Sequence, residues 1–384
     1  MEPFDHFVMT MLENFESSVC AQASIPFAKR ESRPKFLDFF SGSGLVGYAL
    51  APYFASVWAN DISPKKAAVH LANHPDTPLH LGSIAEVSGS RLPDATLSWA
   101  SFPCQDLSLA GKRGGLRSRR SGLVWEWLRV IDEMPRKPPI LVAENVLGLI
   151  STHGGRNYRE LHDALLSRGY FVGAMVLDAA LFLPQSRQRV FVIAINKELR
   201  VPLQLIDEGP NYLHPQALIT AIKGISGWIW WRLPKPQPPR ISLSDILEKD
   251  AKFDNATKSK HNIRLIPEHH WRFFIDNNID IAPGYKRIRD GKQVLELRFD
   301  GLAGCLRTPA GGSSRQHLVI KTHGKIRTRL FTVREAARLM GAPDDYIIPG
   351  TYNDGYRAMG DAVAAPVVRY LAKHLLTRLA QRHE

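Results

Sequence analysis

Lys35-Phe36-Leu37-Asp38-Phe39-Phe40-Ser41-Gly42-Ser43-Gly44-Leu45-Val46-Gly47-Tyr48-Ala49-Leu50 is the stretch on which the fold turns. A short apolar run, a glycine-containing tetrapeptide and a second apolar run predict strand, tight turn and helix. Glycines let the backbone approach a ligand closely, and a helix start offers unpaired N–H groups. A Gly-x-Gly after a strand is often only a turn, so the neighbouring sequence has to decide. About twenty residues on, Ala55 to Ala59 reads as a second strand that ends at Asn60-Asp61. An acidic residue there is placed to bind ribose hydroxyls or to cap a helix beginning at Pro64, and the two roles can coexist.

The same rhythm continues outward. Leu79–Ile84, Ala95–Ala100, Pro139–Ala143, Tyr170–Leu177 and Arg189–Ile195 read as strands, and Pro64–Asn73, Leu123–Met134 and Tyr158–Ser167 as helices. This alternation predicts an α/β fold with a doubly wound, mostly parallel sheet. From about 199 the rhythm is lost. Leu233 to Arg240 is a Pro-rich extended segment or linker, and only Gln293–Phe299 alternates as a strand. Helices return at Thr332–Met340, opened by a Thr332/Glu335 capping box, and at Val363–Leu379. Residues 1–33 carry apolar side chains at helical spacing from Phe4 to Phe15 and read as an extension with one helix. Four segments result: 1–33, 34–198, a smaller irregular domain over 199–330, and 331–384, whose helices return to the first domain.

Charge separates these segments. The chain of 384 residues carries a formal +13, and 200–330 holds 22 Lys and Arg against 12 Asp and Glu. Such a concentration suits a nucleic-acid-facing domain. Cys20, Cys104 and Cys305 are too few and too scattered for a disulfide framework or a zinc site. No apolar run is long enough to span a bilayer and no signal pattern opens the chain, so a cytoplasmic protein is expected.

The chemistry centres on Ser101-Phe102-Pro103-Cys104-Gln105-Asp106-Leu107-Ser108, which follows a strand and precedes a Gly- and Arg-rich run, Gly111 to Gly122. A lone buried cysteine is usually an inert core residue. Here three strand ends converge, bringing the Asp38–Gly44 loop, Cys104 and, from Glu144-Asn145-Val146, a carboxyl group. Together with Gln185-x-Arg187-x-Arg189, and with REAARLMGAPDDY (334–346) and GDAVAAPVV (360–368), these motifs resemble in order and spacing the DNA cytosine-5 methyltransferase family. The resemblance covers roughly 35–198 and 303–375, with a variable target-recognition region between.

The resemblance implies a Rossmann-like S-adenosylmethionine-dependent domain that methylates C5 of a flipped-out cytosine in a specific duplex sequence, with no metal. The Cys104 thiolate would attack C6 and make C5 nucleophilic. Glu144 would contact N3 and the exocyclic amine, doing general-acid work. Arg187 would contact the cytosine carbonyl oxygen, and Arg189 would help hold the site together. The cofactor would be met by Asp38, Phe40, Ser41, Gly42, Gly44, Leu45, Asp61, Ile62, Ser83, Ile84, Pro103, Asp361, Ala362 and Val363. DNA would be met by Gln105 and Ser108, by Lys112, Arg113, Arg117, Arg119 and Arg120 on a lid, Asp106–Gly122, over the flipped base, and by Arg287, Arg289, Arg307, Ser313 and Ser314. Ser83 stands where an acidic residue is usual, Leu45 where many members have Gly, and Asp361 where Asn is common; each bears on cofactor contacts. The product would be S-adenosylhomocysteine, the state a monomer, and a cognate restriction endonuclease the functional partner. A tRNA methyltransferase and a catalytically silent DNA-binding regulator are the alternatives. The large basic segment argues against the first, and retention of Cys104, Glu144, Arg187 and Arg189 against the second.

Overall fold

Seven strands form the central sheet of this computed structural model, which describes residues 33–103, 122–308 and 314–381. They are β1 (Lys35–Phe39), β2 (Ala55–Asp61), β3 (Leu79–Leu81), β4 (Leu97–Ala100), β5 (Ile140–Asn145), β6 (Tyr170–Asp178) and β7 (Gln188–Asn196). The order is β3-β2-β1-β4-β5-β7-β6. The first five strands run parallel, whereas β7 is antiparallel to both β5 and β6. The physical reason is length. Only residues 179–187 join β6 to β7, and a parallel crossover needs about a dozen or more.

Alternation along each strand assigns side chains to the two faces. Phe36, Trp99, Val142 and Ile193 enter one core with helix α1 (Leu45–Leu50) and with Val368, Leu371 and Leu375 from the C-terminal helices. Leu37, Phe39, Ala100, Leu141 and Val192 enter the other, against α3 (Leu123–Glu133) and α4 (Arg156–Ser167). Helix α2 (Pro64–Asn73) connects β2 to β3. The Trp127 indole on α3 is fully buried and donates to Ser98 Oγ at 2.9 Å, so its one polar atom is satisfied. Burying a side chain of that size stabilises by about 2–3 kcal/mol.

The later segment is more regular than its sequence suggests. Two short strands, β8 (Ile206–Asp207) and β9 (Trp230–Trp231), pair with each other. Strands β10 (Ile281–Arg289), β11 (Lys292–Leu297), β12 (Gln316–Thr322) and β13 (Lys325–Leu330) form an antiparallel sheet in the order β11-β10-β12-β13. Helices α5 (Ala256–Arg264) and α6 (Glu268–Asp276) precede β10, and a small core joins Phe274 of α6 to Ala282, Leu295, Leu297 and Val319. Leu233 to Arg240 is extended, and it is pinned rather than free. Leu233 is buried, and the Pro234 carbonyl accepts hydrogen bonds from the Tyr212 and Tyr370 hydroxyls. The capping box forms at helix α7 (Val333–Leu339): Glu335 N–H donates to Thr332 Oγ1, and Thr332 N–H to Glu335 Oε2. Helix α8 (Tyr352–Asp361) precedes α9 (Ala365–Leu371), which continues through a π-helical turn at Ala372–Leu376. The helix expected within residues 1–33 lies outside the described residues.

Candidate active site

A cavity of about 350 Å³ opens where β1, β2, β4 and β5 end. This is the crevice at the carboxyl ends of the strands where doubly wound sheets bind ligands. Phe40, Ser41, Gly42 and Leu45 line it after β1, Asp61 and Ile62 at and after β2, and Ser83 and Ile84 after β3. Pro103 follows β4, Glu144 ends β5, Arg187 and Arg189 come from the start of β7, and Asp361, Ala362 and Val363 close the far side.

One half of the cavity is built from backbone donors and carboxylates. Phe40 and Gly42 both take positive φ, 56° and 58°, which turns the chain sharply off β1. Gly42 N–H donates to Asp61 Oδ2 at 2.9 Å, and Ser63 N–H donates to Oδ1 at 2.8 Å. Asp61 therefore ties the glycine turn to the start of α2, while Ser63 is the residue that caps α2. Ser83 caps the short turn Ile84–Glu86, accepting from Ala85 N–H at 3.2 Å. Asp361 is paired with Lys66 at 2.7 Å and accepts from the Thr308 hydroxyl at 2.6 Å. Lys66 also lines the cavity, although no motif in the sequence names it. The extra carboxylate at 361 is the signal that a cation should face it.

Asp38 and Gly44, both expected at the cofactor, stand behind this wall and do not line it. Asp38 is buried with neither oxygen hydrogen-bonded among the described residues, and burial, then the Asp61 charge, holds its carboxyl well above the usual range. One of its oxygens lies 3.9 Å from where a Gly47 Cβ would be, beneath α1. Gly44 has φ +81°, and a Cβ there would come within 2.6 Å of the His74 ring. It is needed for the turn and for packing.

The other half is charged and dry. Glu144 Oε1 meets Arg189 Nε at 3.1 Å, with side chains only 9% and 14% exposed. Burial pushes the Glu144 carboxyl above its ordinary range, while Arg189, then Arg187, and a hydrogen bond from Ser101 pull against that. The two arginines both line the cavity but differ in their partners. Arg187 is spent on the main chain: Nη1 donates to Leu306 O at 3.2 Å, and Nη2 to Gly360 O at 3.0 Å and Ala362 O at 2.7 Å. Arg189 is the one that faces Glu144. The sulfur of Cys305 lies 3.2 Å from Arg187 Nη1 and 3.9 Å from Arg189 Nη2. Burial pushes that thiol up, but the two guanidiniums outweigh it and draw it down. Gln185 completes the riveting: its Oε1 accepts from Leu306 N–H at 3.1 Å and its Nε2 donates to Leu339 O at 2.6 Å. Asn145 Nδ2 donates to Phe102 O at 3.0 Å, fixing the residues that lead to Cys104.

Cys104, Gln105, Ser108, Lys112, Arg113, Arg117, Arg119, Arg120 and Ser313 lie outside the described residues. Ser314, two residues before β12, is buried and does not line the cavity. Arg307 lines the cavity, with its guanidinium 5.3 Å from the centre of the Tyr285 ring. Arg287 and Arg289 lie on β10 and do not reach the cavity. Among the described residues no group of three or more His, Cys, Asp or Glu could hold a metal ion, and no helix is long and apolar enough to cross a membrane.

This geometry has relatives. The chain is 25% identical over 351 residues to the type II methyltransferase M.Bsp6I of Bacillus sp. (strain RFL6), covering 88% of this chain and 97% of that one. It is 29% identical over 369 residues to the type II methyltransferase M.NgoFVII of Neisseria gonorrhoeae, covering 92% and 89%. A solved structure of a mutant form of Spodoptera frugiperda DNMT2 shares the fold with a TM-score of 0.60 at 20% identity, covering 88% and 98%. The family model described as C-5 cytosine-specific DNA methylase matches residues 34–377, and the chain belongs to that family.

Proposed function

We propose that this DNA cytosine-5 methyltransferase works through a covalent adduct between Cys104 Sγ and cytosine C6, with Glu144 and Arg189 as the groups that make the adduct accessible. The observation that carries this reading is the dry Glu144–Arg189 pair beside Pro103, the residue before Cys104. Addition of the thiolate forms the Sγ–C6 bond and sends an electron pair into the ring toward N3. Glu144, whose carboxyl burial pushes above its ordinary range, gives N3 its proton, and Arg189 is the cation set beside the developing charge. Arg187 is then a positioning residue, which fixes 306 and 360–362 against β7. Once C5 carries the methyl group, loss of the C5 proton to a base and cleavage of Sγ–C6 return the thiolate, and the N3 proton goes back to Glu144, so that neutral 5-methylcytosine and the carboxylic acid are restored. A target cytosine has to leave the duplex stack to meet these groups.

The cavity fits S-adenosylmethionine. The Ser41 hydroxyl is buried and lacks a partner among the described residues, Asp61 offers carboxylate lone pairs for ribose hydroxyls, and Phe40, Leu45, Ile84 and Val363 supply apolar wall. Bound there, S-adenosylmethionine supplies the electrophilic methyl group that the activated C5 accepts. Duplex DNA is the substrate in this reading, a restriction endonuclease the functional partner, a monomer the working unit and the cytoplasm the location. The test is methyl transfer from tritiated cofactor to duplex DNA in competition with tRNA, together with adduct formation on duplex containing 5-fluorocytosine. Label in duplex and a Cys104-dependent adduct are expected, and Cys104→Ala should lower transfer by more than about 10³-fold. Label confined to tRNA, or no adduct with cofactor and labelled sequence present, overturns the reading.

A further inference from the structure

The hairpin β10–β11 extends beyond the sheet that carries it. Strand β12 pairs with β10 only from Ile281 to Tyr285, whereas β11 pairs with it from Gly284 to Arg289. The outer part is a ribbon of two strands with no third strand paired to it among the described residues, turned at Asp290-Gly291 with both φ positive, 49° and 74°. One face of β10 presents Tyr285, Arg287 and Arg289 in succession, and Glu296 lies opposite Tyr285 on β11. Glu296 is the shared acceptor: Arg287 Nε is 3.1 Å from Oε2, and Arg289 meets the same carboxylate through Nε at 2.5 Å and Nη2 at 3.1 Å. This face looks into a second cavity, which Tyr285, Arg287, Glu296, Cys305 and Arg307 line. Arg307 lines the first cavity as well and is the partition between the two.

We propose that Arg287 and Arg289, braced by Glu296, are specificity determinants that each read a guanine in the major groove next to the target cytosine. Three features argue for base edges rather than phosphates. A carboxylate between two cations repels a phosphate but holds guanidinium planes in fixed directions. Arg287 engages Glu296 through Nε, which leaves its two terminal amino groups, without a partner among the described residues, as the fork that meets guanine O6 and N7. A two-stranded ribbon fits the major groove, and alternate residues along a strand lie about 7 Å apart, about two base-pair steps. The side chains are 42% and 55% exposed, open to a groove. The Tyr285 hydroxyl donates to Cys305 O beside Arg189, so the reading face is tied to the catalytic wall.

This inference rests on the methyltransferase reading above, and the experiment separates the two. Bisulfite sequencing of randomised duplex treated with wild type, Arg287→Ala and Arg289→Ala enzyme gives each consensus. Duplexes with 7-deazaguanine at each guanine of the wild-type site then remove one N7 at a time. Each variant is expected to lose preference for one guanine, and the wild type to lose about 5- to 100-fold in kcat/KM at that deazaguanine. The matching variant should lose nothing further there. Variants that slow methylation while keeping every guanine preference, or deazaguanine effects that persist unchanged in both variants, overturn the assignment. A wild type that labels no duplex overturns the methyltransferase reading instead.

Discussion

Glu144, at the end of β5, and Glu296, on β11, each hold arginine guanidiniums, yet their surroundings set them apart. Glu144 is 9% exposed and meets one guanidinium nitrogen at 3.1 Å; Glu296 is 27% exposed and is shared by Arg287 and Arg289. Burial drives the first carboxyl above its ordinary range despite its arginines. At the second, the Arg289 hydrogen bond is the leading influence and outweighs a smaller burial cost, so that carboxyl sits below its ordinary range. One pairing of residue types thus goes with a raised carboxyl in the dry wall and a lowered one on the ribbon. Solvent decides which, because removing water penalises the charged carboxylate more than a single-contact arginine stabilises it.

The largest break in this comparison is Glu144→Gln, which keeps shape and hydrogen bonding but cannot pass on a proton. Transfer to duplex should fall by about 10²- to 10⁴-fold, read as single-turnover kcat. The sign of the pH effect follows from the raised carboxyl. Its protonated form persists above the ordinary value near 4.5 and is lost as pH rises through the higher folded value, so that part of the rate declines on the alkaline side. The residual activity of Glu144→Gln should lack that decline. Equal pH profiles for the two proteins would remove Glu144 as the acid.

The two arginines of 187 and 189 sharpen it next. Arg189→Ala should cost about 10²- to 10³-fold in kcat with thermal unfolding little changed, since it removes the cation at the adduct. Arg187→Ala should instead cost about 3–5 kcal/mol of stability, because the carbonyls of 306, 360 and 362 lose their buried donor. Circular dichroism melts beside single-turnover rates separate the outcomes. A stable Arg187→Ala protein with a purely kinetic defect would return to Arg187 the contact with cytosine that its sequence position suggested.

Much of the sheet could be read in the sequence because buried parallel strands are short apolar runs, as at Phe36–Phe40 and Ile140–Ala143, broken by glycine and helix. The antiparallel β7 follows only from counting the residues between 178 and 188. Strand β10 was hidden because its outer half faces solvent, so Lys286, Arg287 and Arg289 mask the alternation. Residues at the site emerged where a motif names a side chain, as for Glu144 and Asp61. What spacing could not supply was direction: Asp38 turns under α1, and Arg187 points into main-chain carbonyls. Lys66 was recoverable only by asking what neutralises Asp361.

Asp61 tests whether a buried carboxylate bonded to N–H groups behaves like either glutamate. Both its oxygens already hold main-chain donors, Gly42 and Ser63, so Asp61→Asn should disturb the glycine turn as well as ribose binding. The Kd for S-adenosylmethionine, measured calorimetrically without DNA, should rise by about 10- to 100-fold, the range for losing hydrogen bonds to a charged group. An unchanged Kd would place the ribose elsewhere in the cavity.

Glu296→Gln is the mildest change and the one that isolates the brace. The pairs at Glu296 are partly exposed, so losing them should lower discrimination between cognate and single-guanine-substituted duplexes by no more than about fivefold. Non-specific DNA affinity should rise, because one negative charge leaves a basic face, and its dependence on salt should steepen. A lowered carboxyl adds stability above its ordinary value near 4.5 and loses it as pH falls through its folded value, so wild type should lose a little more melting temperature on acidification than Glu296→Gln. Glu144→Gln should differ from wild type on the opposite side of the pH scale, because its raised carboxyl favours the folded state at low pH and ceases to as pH rises. If both substitutions moved the acid side alike, solvent exposure would not be what distinguishes the wall from the ribbon.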